Sequence, residues 1–469
     1  MGRKGIWRSF PAALAASFFM FSASISAAQE NPLPIPPLLT NQSSDPAVAR
    51  FELTVQKGET EFFPGKPNIT LGYNGNLLGP TLRAKRGQRV EVTVHNSLRE
   101  YTTVHWHGML LPGSEDGGPH QVVAPDSDWK ARFTVNQPAA TLWYHPHGIG
   151  NTATQVYYGL AGFFILDDEA SDKLNIPKEY GVDDIPLVVQ DRRFSSDGVL
   201  LYNTTMRDIM YGMQGKTPLI NGAVNPYLTV PRSKVRLRLL NGSNAGFYDF
   251  NFEGNKKFHQ IASDGGLLTR PVEMNHLQLS PGERGEIVMD FSGYGPGTVL
   301  HLRNGRLPVL KIIVGKGKKE SPPLPEILAV VPPLPYDGTE TVRRFTLSGL
   351  GRMVGINGQQ MNLRRINEQM DLNSTEIWEI TSRTGMMGMM GGGGGMLHNF
   401  HAHGIQFQIL ARNGSMPPEN ERGWKDTLQV REGEVVQLIT RFHYPGDFMY
   451  HCHVLEHEDN GMMGQFRVE

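Results

Sequence analysis

Arg89-Val90-Glu91-Val92-Thr93-Val94 alternates polar residues with valine over three full periods. Successive side chains of a strand point to opposite faces, so this stretch predicts a strand with one buried face. Upstream of it lies Asn74-Gly75, a turn pair in which both residues tolerate positive φ. The same succession returns twice. Asn221-Gly222 precedes Val235, Leu237 and Leu239, which alternate with Arg236 and Arg238. Asn357-Gly358 precedes the looser run Ile377-Trp378-Glu379-Ile380. A unit written three times predicts an all-β chain, a tandem of β-sandwiches.

Length and composition agree. At ~150 residues per domain, 469 residues make about three. Gly (53) and Pro (32) supply turn chemistry for many short strands and work against long helices. With 45 basic and 46 acidic residues and a pI near 7.0, the chain lacks the basic excess of a nucleic-acid binder. The single cysteine, Cys452, excludes an intramolecular disulfide.

Residues 1–28 read as a signal peptide. Arg3, Lys4 and Arg8 give a basic start, an apolar run spans 12–21, and Ser26-Ala27-Ala28 is a small-residue cleavage site. The apolar run is shorter than the ~20 residues a membrane span needs. A periplasmic protein without membrane insertion is expected, by an export route (Sec or Tat) left open. Residues 167–184 are charged and polar, and 316–340 carry a Lys run followed by Pro322-Pro323 and Pro332-Pro333. Both read as connectors. The Pro-rich start, 31–39, reads as an extended segment lying over the surface.

Of the 16 histidines, ten fall into four short clusters. These are His105-Trp106-His107-Gly108, His145-Pro146-His147-Gly148, His398-Asn399-Phe400-His401-Ala402-His403-Gly404, and His451-Cys452-His453 followed by His457 and Met462. Each contains a His-X-His pair, and on a strand such a pair points two imidazoles to one face, able to reach two metal ions. One pair alone is a weak signal. Four pairs are not, because so many buried imidazoles without a metal would each forfeit ~1–3 kcal/mol. Imidazole suits Zn, Cu, Fe and Ni; Cys452, His457 and Met462, joined by His398, form the two-His, one-Cys, weak-thioether set of a blue-copper electron-transfer site. His451 and His453 face the opposite side of the strand from Cys452. An electron arriving at the sulfur is then one residue from metals held by its neighbours.

As a set the four clusters resemble the four copper motifs of the multicopper oxidases, over almost the whole chain after residue 28. The last motif and the Pro-rich start resemble the bacterial periplasmic copper-efflux (cuprous) oxidases, and laccase-like oxidases share the set. The resemblance implies three tandem cupredoxin-like Greek-key β-sandwich/barrel domains. These are placed at 40–168, 182–315 and 341–469, with 316–340 as a linker and the middle domain lacking a copper motif. It implies four copper ions. The type 1 copper takes His398, Cys452, His457 and Met462. The type 2 copper takes His105 and His401. One type 3 copper takes His107, His145 and His453, the other His147, His403 and His451. It implies one-electron oxidation of substrate at type 1 and four-electron reduction of O2 to water at the other three. Asp116 and Glu458 match the family's proton-relay carboxylates, against the plainer role of orienting ligands. His259, His276 and His301 stand alone in the middle domain and read as structural or surface histidines.

Met386-Met387-Gly388-Met389-Met390, five glycines and Met396 run up to His398. Soft thioethers at that place predict a Cu(I) site over the type 1 copper. The resemblance is incomplete here. The long Met-rich insertion of the best-known cuprous oxidases shrinks to 350–355 with Met353, and glycines 391–395 replace an expected Asp. The reading is a cuprous oxidase in copper tolerance and homeostasis, acting as a monomer on O2 and Cu(I). A laccase-like oxidase of phenols or aromatic amines is the alternative. A third is a non-catalytic periplasmic scaffold on the same fold, associated with cell division; it lacks the copper ligands, all twelve of which are present here.

Overall fold

The computed structural model describes residues 1–2, 30–202, 205–383 and 397–469. The expected signal peptide, apart from its first two residues, and the tract Met386 to Met396 lie outside the described residues. The described chain is built of strands, with a few helices of seven residues or fewer. As expected, three sandwiches follow one another, each of two facing sheets around its own apolar core.

In the first sandwich, Lys66–Tyr73, Val48–Phe63, Arg89–Asn96 and Ser127–Thr134 form one sheet. Leu82–Lys85, Gly162–Asp167, Ala140–His145 and His105–His107 form the other. Val90, Val92 and Val94 face the core, as their alternation predicts. The third sandwich repeats the plan with two five-stranded sheets, one of which carries His398–Ala402 beside Gly446–His451.

The three Asn-Gly turns do one job three times. Asn74, Asn221 and Asn357 all adopt positive φ. Each side chain binds the backbone of its unit's first strand, accepting from Thr54, Val188 or Thr346 N–H and donating to Glu52, Pro186 or Arg344 C=O. Each such first strand pairs in parallel with the alternating strand: Val48–Phe63 with Arg89–Asn96, Asp184–Phe194 with Lys234–Asn241, and Thr341–Ser348 with Thr375–Arg383.

One expectation needs correction. Arg236 and Arg238 do not face solvent. The first sandwich covers that face of Lys234–Asn241, and both guanidiniums are buried. Arg238 reaches both carboxylate oxygens of Asp184 (2.7 and 2.8 Å), Glu286 (3.1 Å) and the Thr141 hydroxyl across the junction (2.6 Å). The Pro-rich start is extended and lies at the surface, as expected, with Pro32, Pro34, Pro37 and Leu38 exposed, and it is also tied in. Asn31–Pro32 pairs in parallel with the middle sandwich, Leu33 enters that core, and Pro34 C=O accepts from Asn221. Within 167–184, Asp168 caps the short helix Glu169–Lys173.

Candidate metal centre

Register brings the histidine pairs together. His105 lies opposite His145 on adjacent antiparallel strands, and His401 lies opposite His451. The glycine after each of two pairs turns the chain away at positive φ, where glycine is favoured. At Gly404 a Cβ would sit 2.3 Å from the Phe448 ring; at Gly108 it would sit 2.5 Å from Asp426 Oδ2. Within the pairs the ring centroids are 5.7 Å (His105, His107), 6.1 Å (His145, His147), 5.0 Å (His401, His403) and 5.5 Å (His451, His453) apart.

The first and third sandwiches interlock through these rings. His105 stacks on His403 and His107 on His401, each with centroids 3.7 Å apart. Nε2 of His451 lies 3.0 Å from His147 Nε2 and 3.1 Å from His403 Nε2. His107 Nδ1 lies 3.3 Å from His145 Nε2, and the His453 ring is 5.1 Å from His107 and 5.3 Å from His145. His105, His401 and His403 also bring one nitrogen each within 4.8 Å of one another. All eight rings are buried. Burial lowers the pKa of His107, His145, His401 and His403 well below the ordinary value, and of His147 and His453 to about 3. They are neutral imidazoles with lone pairs to give. His105 Nε2, His401 Nε2 and both His453 nitrogens find no hydrogen-bond partner among the described residues. Burying each such atom costs ~1–3 kcal/mol, which a bound cation relieves. This donor set fits copper.

A second group lies on the other side of Cys452. Its Sγ is 3.5 Å from His398 Nδ1 and 3.9 Å from His457 Nδ1. His457 rides on the one-turn helix Leu455–Asp459. The loop closes through Met462 N–H to His457 C=O (2.9 Å) and Cys452 N–H to Met462 C=O (3.1 Å), with Met462 fully buried. Burial pushes the Cys452 thiol up to about 12, so a thiolate here requires a cation beside it. One sulfur and two neutral imidazoles, in the same core as a buried thioether, again fit copper.

Both predicted carboxylates touch these rings. Asp116 Oδ2 accepts from His403 Nδ1 at 2.7 Å, while its backbone C=O lies 3.0 Å from His105 Nδ1. Glu458 Oε2 lies 3.1 Å from His451 Nδ1, and Oε1 lies 3.6 Å from His147 Nε2. In the middle sandwich His276 pairs with Asp249 and His301 with Glu253, away from both groups.

Several neighbours had no signal in the sequence. Asp426 lies 3.0 Å from His107 Nε2 and is gripped by Arg284. Gly282 packs on His453. Met210 C=O accepts from His457 Nε2 at 3.1 Å, which sets the short helix Met206–Tyr211 of the middle sandwich over the outer group. Glu456 accepts from Met213 N–H and Asn244 Nδ2 and anchors that approach. Arg284, Gly282, Met210, Met213 and Asn244 come from the middle sandwich, and no local spacing marks them.

Three family models, each described as multicopper oxidase, match residues 54–171, 198–298 and 332–469. A multicopper oxidase of Staphylococcus haemolyticus is 40% identical over 94% of this chain and 93% of its own length. The cell division protein FtsP of Escherichia coli is 35% identical over 94% of each. Among solved structures, a laccase from Pediococcus acidilactici superposes with a TM-score of 0.89 at 41% identity, covering 94% of both chains. Matched in all three sandwiches and along nearly its full length, the chain belongs to the multicopper oxidase family.

Proposed function

We propose that this oxidase takes single electrons from a small reductant at an outer copper held by His398, Cys452, His457 and Met462. It passes them to three inner coppers, where O2 becomes water. His105 and His401 hold one inner copper, His107, His145 and His453 the second, and His147, His403 and His451 the third. When bound, copper supplies one-electron redox chemistry outside and a multi-electron site for O2 inside. The chain's own part is wiring, orientation and proton supply. One observation carries the reading: Cys452 turns its sulfur toward His398, while its two neighbours turn their rings into the inner group.

Asp116 and Glu458 are buried against rings of the inner group, as groups that deliver protons to reduced oxygen should be. Cuprous ion is the proposed reductant, in periplasmic copper tolerance. Met386, Met387, Met389, Met390 and Met396 precede His398 in sequence, and thioethers favour Cu(I). The laccase-like alternative draws on the structural likeness to a laccase. The scaffold alternative, toward which the likeness to the cell division protein FtsP points, leaves the unpartnered buried imidazoles without a purpose.

Copper content and an optical spectrum test the core of the proposal: four coppers per chain and an intense thiolate band are expected, and a colourless, copper-poor protein would reject it. Oxygen uptake with Cu(I) and with a phenol, before and after deletion of 386–396, tests the substrate. Selective loss of Cu(I) turnover supports the cuprous oxidase; unchanged Cu(I) turnover rejects the tract's role.

A further inference from the structure

The middle sandwich carries no His-X-His pair, yet its 280–284 loop reaches the inner group. Gly282 adopts positive φ, and a Cβ there would sit 2.9 Å from His453 Cδ2. Two residues on, Arg284 is fully buried, and each of its guanidinium nitrogens is engaged. Nη1 donates to Asp426 Oδ1 (2.7 Å) and Gly282 C=O (3.0 Å). Nη2 donates to Asp426 Oδ2 (2.6 Å) and Asp264 C=O (3.0 Å), and Nε to Thr141 C=O (3.0 Å). Five N–H donors meet five acceptors, so the guanidinium has one orientation.

Asp426 is fixed as firmly. Besides Arg284, it accepts from Gln406 Nε2 (2.8 Å, on Oδ2) and from the Thr427 hydroxyl (2.9 Å, on Oδ1). Its Oδ1 then faces His107 Nε2 at 3.0 Å. An ionised carboxylate only accepts, so the His107 proton belongs on Nε2 and the lone pair on Nδ1, which faces His145. The Asp426 backbone C=O does the same for the stacked ring: it accepts from His401 Nδ1 at 2.8 Å and leaves Nε2 free.

We propose that Arg284 is a positioning residue of the inner centre: by clamping Asp426 through both oxygens it fixes the His107 tautomer that offers Nδ1 to the metal. The middle sandwich is thereby part of the site and not only a spacer. This rests on reading His107 as a ligand, since only then does the choice of nitrogen matter to copper. The absent methyl of Gly108 belongs to the same arrangement, because a Cβ there would also sit 2.8 Å from Arg284 Nη2.

The test uses the full chain. In metal-free protein with 15N-labelled histidine, NMR is expected to show His107 protonated on Nε2. Arg284→Lys keeps the charge but cannot make the double grip. It is expected to retain the blue absorbance per chain while binding inner copper about 10–100-fold more weakly. Should that variant fail to fold, Asp426→Ala serves, since it removes both acceptor oxygens and should release His107 from the Nε2-protonated form in the metal-free protein. A wild-type His107 protonated on Nδ1 overturns the inference. So does an Arg284→Lys protein with unchanged inner-copper affinity, or an Asp426→Ala protein with an unchanged tautomer. A wild-type chain with the Nε2 proton that takes up no inner copper would instead sink the copper reading and leave the clamp standing.

Discussion

Asp116 Oδ2 of the first sandwich accepts a 2.7 Å hydrogen bond from His403 Nδ1 of the third, and both groups are buried. The contact orients the ring so that Nε2 faces His147 and His451, and it places a carboxylate against the inner group. Asp116→Asn keeps an acceptor but removes the exchangeable acid. Anaerobic reduction of the blue centre should stay within about twofold of wild type, while reoxidation by O2 slows by about 10²-fold, the lower range for general acid catalysis. Stopped-flow traces of both half-reactions decide it; equal slowing of the two would leave Asp116 an orienting role only.

Cys452→Ser removes the sulfur that lies 3.5 Å from His398 Nδ1 and 3.9 Å from His457 Nδ1. The blue absorbance should vanish and oxygen uptake fall below detection, with the inner coppers retained. Optical spectra and copper analysis on the same sample measure both; a Ser variant that still consumes oxygen contradicts the wiring.

Gly108→Ala should be destabilised by ~1–3 kcal/mol from backbone strain at φ 86° alone. The new methyl would also press on Asp426 Oδ2 and Arg284 Nη2. Thermal melting followed by circular dichroism, together with inner copper content, should fall together. A methyl tolerated without loss of either would show that the close packing there is not needed.

Arg238→Met breaks a buried pair at the junction of the first two sandwiches and leaves Asp184 with Arg236 at 3.7 Å in place of a two-pronged partner. Removing one partner of such a pair costs about 3–5 kcal/mol, far above the worth of a surface bridge. The first unfolding transition in denaturant reports it, and a loss under about 1 kcal/mol would count against the network.

Copper removal should lower the melting temperature, because binding to the folded state alone stabilises it by mass action. At a hundredfold excess over Kd each site contributes about 2.7 kcal/mol. Calorimetry of the chelated and reconstituted protein measures the difference; coincident melts would place the metal outside the folded core.

Sequence alone determined what is local. The valine alternation at 90–94 and the recurring Asn-Gly turns specified strands and a threefold unit, because side-chain period and positive φ act over a few residues. The His-X-His pairs and the Cys452–His457–Met462 spacing marked the residues that the structure gathers into two buried groups, since a two-residue step on a strand is itself a geometry. Tertiary structure decided what lies between units. Arg236 and Arg238 read as a solvent face until the first sandwich covers them. Arg284, Gly282 and Met210 carry no motif, and they reach Asp426, His453 and His457 only after three chain segments fold against one another. Spacing along the chain encodes the reach of one strand or turn; it holds no record of which other strand will arrive opposite, and the protonation of a buried ring such as His107 is set by that arrival.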